Sequence, residues 1–229
     1  AFLQGCREEG FLVVDGQALA YVPIDFADEE DYLMRLSSGR RRDLRRKLRA
    51  RDKLHLEIEP TGSARFDDEE FVLRLYAQYL AVYEQSTLHF DLLSPEFFAA
   101  VLRDPRLEGR VFLYFHEGTL IGYNLCFLWR DMLIDKYIGF DYAASRAFNL
   151  YFVSWFENLA FARHEGLRYY VAGWTDPEIK AYLGARFTFT RHAIAVRSPL
   201  LRLLLRRLAP LFENDRRWFD AHATDTHRP

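Results

Sequence analysis

The chain has 229 residues, 50% apolar and 28% charged, with a formal net charge of −2 at pH 7. That composition belongs to a globular protein with a sizeable core, and its near-neutral balance argues against a dedicated nucleic-acid binder, so no DNA partner is expected. Cys6 and Cys126 are too few and too far apart for a disulfide framework, so a reducing, cytoplasmic setting is expected.

Taken in chain order, residues 1–11 already read as helix at Ala1, without an initial Met, as in a trimmed chain or a piece of a longer protein. Residues 11–24, FLVVDGQALAYVPI, predict a short hairpin turning at Asp15-Gly16. Asp28 to Leu36 predicts a helix with an acidic start, interrupted near Gly39. Residues 37–53, SSGRRRDLRRKLRARDK, then hold seven Arg and two Lys against Asp43 and Asp52. Only Leu44 and Leu48 give this helix an apolar stripe, so most of it faces water or an anion. LHLEIEP alternates as a half-buried strand, and residues 67–85 form an amphipathic helix through Phe71, Leu75 and Tyr79. Ser94 and Pro95 start a further helix.

Three strands, RVFLYFH, TLIGYNLCFLW and MLIDKYIGF, follow with two-residue links, which force an antiparallel meander. A long helix is expected over 146–165, ended by Gly166, then a strand at LRYYVAGW. TDPEIKAYLGA predicts a short helix capped by Asp176 and stopped by Gly184, and FTFTRHAIAV a last strand. The C-terminal helix, 198–219, carries Leu201, Leu204, Leu205, Leu208 and Phe212 as a stripe expected to pack on the domain; a peripheral membrane contact is the alternative. The fold class is therefore α/β (α+β), a mixed, mostly antiparallel sheet flanked by helices, in one domain over 1–229 with its core at 30–195.

No nucleophile elbow, phosphate loop or HExxH pattern is present, and the seven histidines are scattered, so no metal is expected. Strict alternation along MLIDKYIGFD puts Leu133, Asp135, Tyr137 and Asp141 on one face. A carboxylate and a phenol there suit proton transfer; an exposed polar face or a structural hydrogen bond suits them equally. Lys180 and Tyr182 sit on a short helix leaving a strand end, a common place for sites in such sheets.

Three stretches resemble the FemAB-like, BioF2-like branch of the GCN5-related N-acetyltransferase (GNAT) superfamily: YLMRLSSGRRRDLRRKLR, the run from YIGFDYAASRAFNL to RYYVAG, and DPEIKAYLGARF. The resemblance implies an acyltransferase moving an acyl or aminoacyl group onto an amine, with a non-catalytic binding module of the same fold as the alternative. Typical GNAT members bind the coenzyme A pyrophosphate on a glycine-rich turn; here that turn reads YAASRAFNL, without glycine. The donor is therefore left open among acyl-CoA, acyl carrier protein and aminoacyl-tRNA, with no tightly bound cofactor expected. Lys180 matches the branch's signature lysine, with Asp135 and Tyr182 as weaker catalytic candidates. Arg41, Arg42, Arg45 and Arg46 suit phosphate contacts, and Tyr137, Asp141, Ser145, Arg146 and Asn149 are the further candidates for substrate contact.

Overall fold

The computed structural model of the chain describes residues 2–86, 92–212 and 214–222. In chain order the elements are α1 (Phe2–Glu8), β1 (Leu12–Pro23), α2 (Glu29–Met34), α3 (Ser38–Leu48), β2 (His55–Pro60), α4 (Glu69–Gln85), α5 (Pro95–Arg103), β3 (Gly109–His116), β4 (Thr119–Trp129), β5 (Met132–Phe140), α6 (Tyr142–Ala147), α7 (Leu150–His164), β6 (Tyr169–Gly173), α8 (Pro177–Leu183), β7 (Arg186–Ile194), α9 (Pro199–Phe212) and α10 (Asn214–His222). They divide into two compact units, one from Val22 to Gly173 and one made of the segments before and after it.

The larger unit holds a mixed sheet in the order β2-β3-β4-β5-β6. Two-residue links make β3, β4 and β5 antiparallel neighbours; β2, joined to β3 through α4 and α5, pairs antiparallel with it, whereas β6 returns through α7 and lies parallel to β5. Period-two alternation sorts the faces. Val111, Leu113 and Phe115 of β3 join Phe71, Leu75 and Tyr79 of α4 and Phe98 of α5 in one core. Phe112 points the other way and meets Phe161 of α7 edge-on, with ring centroids 5.2 Å apart. Asp68 caps α4 by accepting from Glu70 N and Phe71 N, and Ser94 caps α5 by accepting from Phe97 N.

The smaller unit is built on an antiparallel ribbon of β1 and β7. No hairpin forms within residues 11–24. Asp15 pairs with Arg191 and Ala18 with Phe189, so a register shift absorbs Gly16 and Gln17 in a continuous strand. A Cβ at Gly16 would lie 2.4 Å from Thr190 Oγ1 and from His192 Nε2, so a larger residue there would have to push these side chains aside.

Other expectations are adjusted in detail. The helix of 28–36 ends at Met34, before Gly39, which sits in the first turn of α3. The long helix starts at Leu150, because Asn149 adopts a left-handed conformation (φ 51°) and separates it from α6. Asp176 precedes α8 as expected, but it too is left-handed and makes no side-chain cap bond. The C-terminal stretch is two helices; of its expected packing stripe Leu201 and Leu204 are exposed, Leu205 and Leu208 half-buried, and the Phe212 side chain lies outside the described part. Among the described residues, no helix is long and apolar enough to cross a membrane.

Candidate active site

Two parallel strands meet and then part in the larger unit. The β5–β6 ladder pairs Met132 with Tyr169, Leu133 with Tyr170 and Ile134 with Val171. Among the described residues it stops there, while β5 continues to Phe140. A place where strands part beyond their paired ends is where such sheets take ligands.

Asp135 stands at that fork. Its Oδ2 accepts from Asn124 Nδ2 at 2.9 Å, Tyr170 OH at 2.9 Å and Asn158 Nδ2 at 3.2 Å. Asn158 also donates to Tyr170 OH at 3.2 Å, and the Cys126 thiol lies 4.0 Å from Asn158 Oδ1. The three donors come from β4, α7 and β6 and are all buried. One carboxylate oxygen therefore ties four elements together at the fork. Burial pushes the Tyr170 phenol well above its ordinary range, and the neighbouring Asp135 adds to this. Cys126 is raised by burial and then by Asp135, so it stays a thiol and is no nucleophile.

The fork does not bring Tyr137 onto the same face as Asp135. Leu125 lies opposite Tyr137 and Cys126 opposite Asp135, so one step on β4 spans two on β5. Lys136 is the extra residue of a bulge, which inverts the alternation. Tyr137 consequently turns to the α4 side, edge-on to Tyr79 at 6.0 Å, while Asp135 faces α7. The single polar face expected for Leu133, Asp135, Tyr137 and Asp141 is thus split in two.

Just beyond β5, Asp141 caps α6. Its Oδ1 accepts from Ala143 N at 3.0 Å and Ala144 N at 3.1 Å. These are the backbone donors a pyrophosphate would need, and a carboxylate of the chain already fills them. Ala143, Ala144 and Ser145 carry side chains where a close backbone approach calls for glycine. The residues present do not fit a coenzyme A pyrophosphate at this turn. Ser145 is buried, Arg146 lies 5.6 Å from the centroid of the Tyr142 ring, and Asn149 supplies the left-handed turn between α6 and α7.

The arginine helix α3 divides by use. Arg41 donates to Leu36 O at 2.8 Å and so ties α3 back to the preceding turn. Arg45 pairs with Glu30. Arg51, just after the helix, bridges Glu29 at 2.9 Å and Glu157 at 2.6 Å. Arg46 touches Asp43 at 2.6 Å, as Lys47 does at 2.8 Å, and Lys47 also lies 3.7 Å over the Phe152 ring. Among the described residues Arg42 and Arg49 carry no ion pair. With Gly39, Asp43 and Arg46 they line a groove of about 470 Å³. The groove arginines without an ion pair among the described residues are therefore Arg42 and Arg49; Arg46 lines the same groove but is held by Asp43, as Arg45 is by Glu30, and Arg41 is engaged with Leu36 O. Arg49 was legible in the i, i+4, i+7 spacing of 42, 46 and 49, which puts the three on one helix face.

Lys180 and Tyr182 belong to the smaller unit, on α8, whose end is closed by the left-handed Gly184 (φ 97°). Lys180 is only 5% exposed. A lysine that buried is held in place by compensating groups, which fixes its ammonium on α8. Among the described residues, no group of three or more His, Cys, Asp or Glu side chains could hold a metal ion.

Comparison with known proteins gives a consistent result. The sequence matches the Acetyltransferase (GNAT) domain family over residues 38–181. None of the curated proteins matches it. Among solved structures, the chain is similar to the C-terminal domain of a protein assigned as a lysylphosphatidylglycerol synthetase from Agrobacterium fabrum, at 15% identity and a TM-score of 0.64, covering 93% of this chain and 70% of that one. It is similar to FemX at 14% identity and a TM-score of 0.61, covering 89% and 70%. The L-PGS structure from Bacillus licheniformis follows at 10% identity and 0.59, covering 91% and 70%.

Proposed function

The chain belongs to the GNAT acetyltransferase family, and from that premise we propose that it transfers an aminoacyl group from a charged tRNA to an amine. The observation that carries this reading is Asp141, whose carboxylate fills the backbone donors that an acyl-CoA pyrophosphate would need. The fold likeness to FemX and to a lysylphosphatidylglycerol synthetase domain supports an aminoacyl rather than an acetyl donor. The Arg42, Arg46 and Arg49 groove suits a phosphate backbone.

In the reaction the amine nitrogen attacks the ester carbonyl carbon. The C–N bond forms, the C–O bond to the ribose breaks, and the amine proton passes in net to the departing ribose oxygen. Positioning and a donor to the developing oxyanion supply most of the acceleration. Lys180 is the candidate donor, on its burial and on its match to the branch's lysine. Asp135 fits a positioning role, since its Oδ2 already accepts three bonds.

The test is binding and single-turnover transfer with charged tRNA, coenzyme A and acetyl-CoA side by side. Charged tRNA is expected to bind and lose its aminoacyl group when an amine is added. Saturable coenzyme A binding with transfer from acetyl-CoA overturns the reading. A second reading, a binding module without catalysis, is favoured by the internal use of Asp135 and Asp141; it requires tRNA binding with no transfer to any amine.

A further inference from the structure

Four leucines at the start of α9 stand largely in water. Leu200, Leu201, Leu203 and Leu204 are 81%, 48%, 56% and 53% exposed. Arg202 is instead partly buried: its Nη2 donates to Val196 O at 3.1 Å, and its guanidinium lies where a Cβ on Gly10 would stand. These four apolar side chains thus face solvent while Arg202 points into the unit; Leu205 and Leu208 are half-buried. At 100° per residue the four leucines fall on one broad face, with Arg207 exposed among them. A contiguous exposed apolar patch of this kind marks an interaction surface.

The charge around it selects the occupant. Along α9 itself, Pro199–Phe212, the sequence has Arg202, Arg206 and Arg207 and no Asp or Glu. A protein partner for a leucine face needs no such sustained exclusion of acid, whereas an anionic lipid surface does, because each carboxylate near it is repelled. Leucines flanked by arginines on a helix of four turns is the pattern of a helix lying in a membrane interface. We propose that α9 docks this chain on an anionic phospholipid surface, its leucines in the acyl boundary and Arg207 at the headgroup phosphates. This does not depend on the identity of the acyl donor or acceptor.

The test is cosedimentation of the 229-residue chain with phosphatidylcholine vesicles, with and without phosphatidylglycerol. Binding is expected with phosphatidylglycerol and far less without it. Replacing Leu200, Leu201, Leu203 and Leu204 together with Gln should weaken partitioning by at least ~10-fold while lowering the melting temperature only modestly, since about half or more of each residue is already in water. If the fourfold variant does not fold, Leu200→Trp reads the same contact: its added emission should shift to the blue on anionic vesicles. The proposal is overturned if the chain ignores anionic vesicles, if the fourfold variant binds them as well as the parent, or if L200W emission does not move. It is equally overturned if the parent self-associates through this face, with the fourfold variant monomeric and neither binding lipid.

Discussion

Asp135→Asn separates a catalytic carboxylate from one that holds the fork together. The substitution keeps shape and leaves one oxygen to accept from Asn124, Asn158 and Tyr170. It removes the charge. Hydrogen bonds to a charged group stabilise by about 1.5–3 kcal/mol and neutral ones by about 0.5–1.5, so each of the three bonds weakens by roughly 1 kcal/mol. The expected loss is about 2–4 kcal/mol, because the donors are buried and water cannot replace the interaction. For a chain of this size that lowers the melting temperature by roughly 5–15 °C. Turnover of charged tRNA, measured well below the new midpoint, should fall by less than ~10-fold if Asp135 only positions the fork, against ~10²–10⁴ for a lost general base. An unchanged melting temperature refutes the positioning argument, as does a turnover loss of ~10³ or more in a fully folded variant.

Further outcomes follow from the same geometry. Replacing Arg42, Arg46 and Arg49 with Gln should reduce tRNA affinity and flatten its salt dependence by up to about two to three ions, whereas Arg41→Gln and Arg45→Gln should leave that slope in place; an unaltered slope in the triple variant removes the groove from tRNA binding. Burial raises the Glu157 carboxyl above its ordinary value, with the Arg51 guanidinium opposing and Glu29 adding. A carboxyl raised in the folded chain takes its proton there first, so parent stability relative to Glu157→Gln should rise as pH falls through the folded value and level off below the ordinary glutamate range; urea melts across that window that run parallel contradict it. Lys180→Met keeps length and removes charge, and turnover should fall by ~10²–10³ with the far-ultraviolet dichroism spectrum preserved; near-normal turnover takes Lys180 out of the chemistry.

The fold was legible where local chemistry is decisive. Ser94 and Pro95, Gly166, and the two-residue links at Glu117-Gly118 and Arg130-Asp131 each mark an element end that the structure keeps. What escaped was tertiary. Asp15-Gly16 has the chemistry of a hairpin turn, yet β7 pairs with the chain on both sides of it, and the two residues after Asp15 are taken up in a bulge. The arginine helix showed its charge density but not its acidic partners, because Glu29, Glu30 and Glu157 lie outside the run. The α9 stripe reads as packed throughout, whereas Leu201 and Leu204 are exposed and Leu205 and Leu208 half-buried, since periodicity says that a face is apolar and not what covers it.

The bulge at Lys136 has the widest consequence for the chemistry. Alternation along β5 offered an acid and a phenol side by side, a ready proton relay. Shifting one residue sends Asp135 to the α7 side and Tyr137 to the α4 core, and that pair is lost. Asp141, the next carboxylate, is engaged with Ala143 N and Ala144 N. Both acids near the fork thus stabilise the chain's own donors. A reaction at this fork has to shed the amine proton through water or straight to the leaving oxygen, which suits an activated ester more than an unactivated amide. On that argument an acyl transfer at this fork would gain chiefly from holding donor and acceptor together. The rate should then depend steeply on the basicity of the acceptor amine and only weakly on pH above that amine's own titration. A bell-shaped profile that persists across acceptors of different basicity would point to a protein base that the fork does not supply.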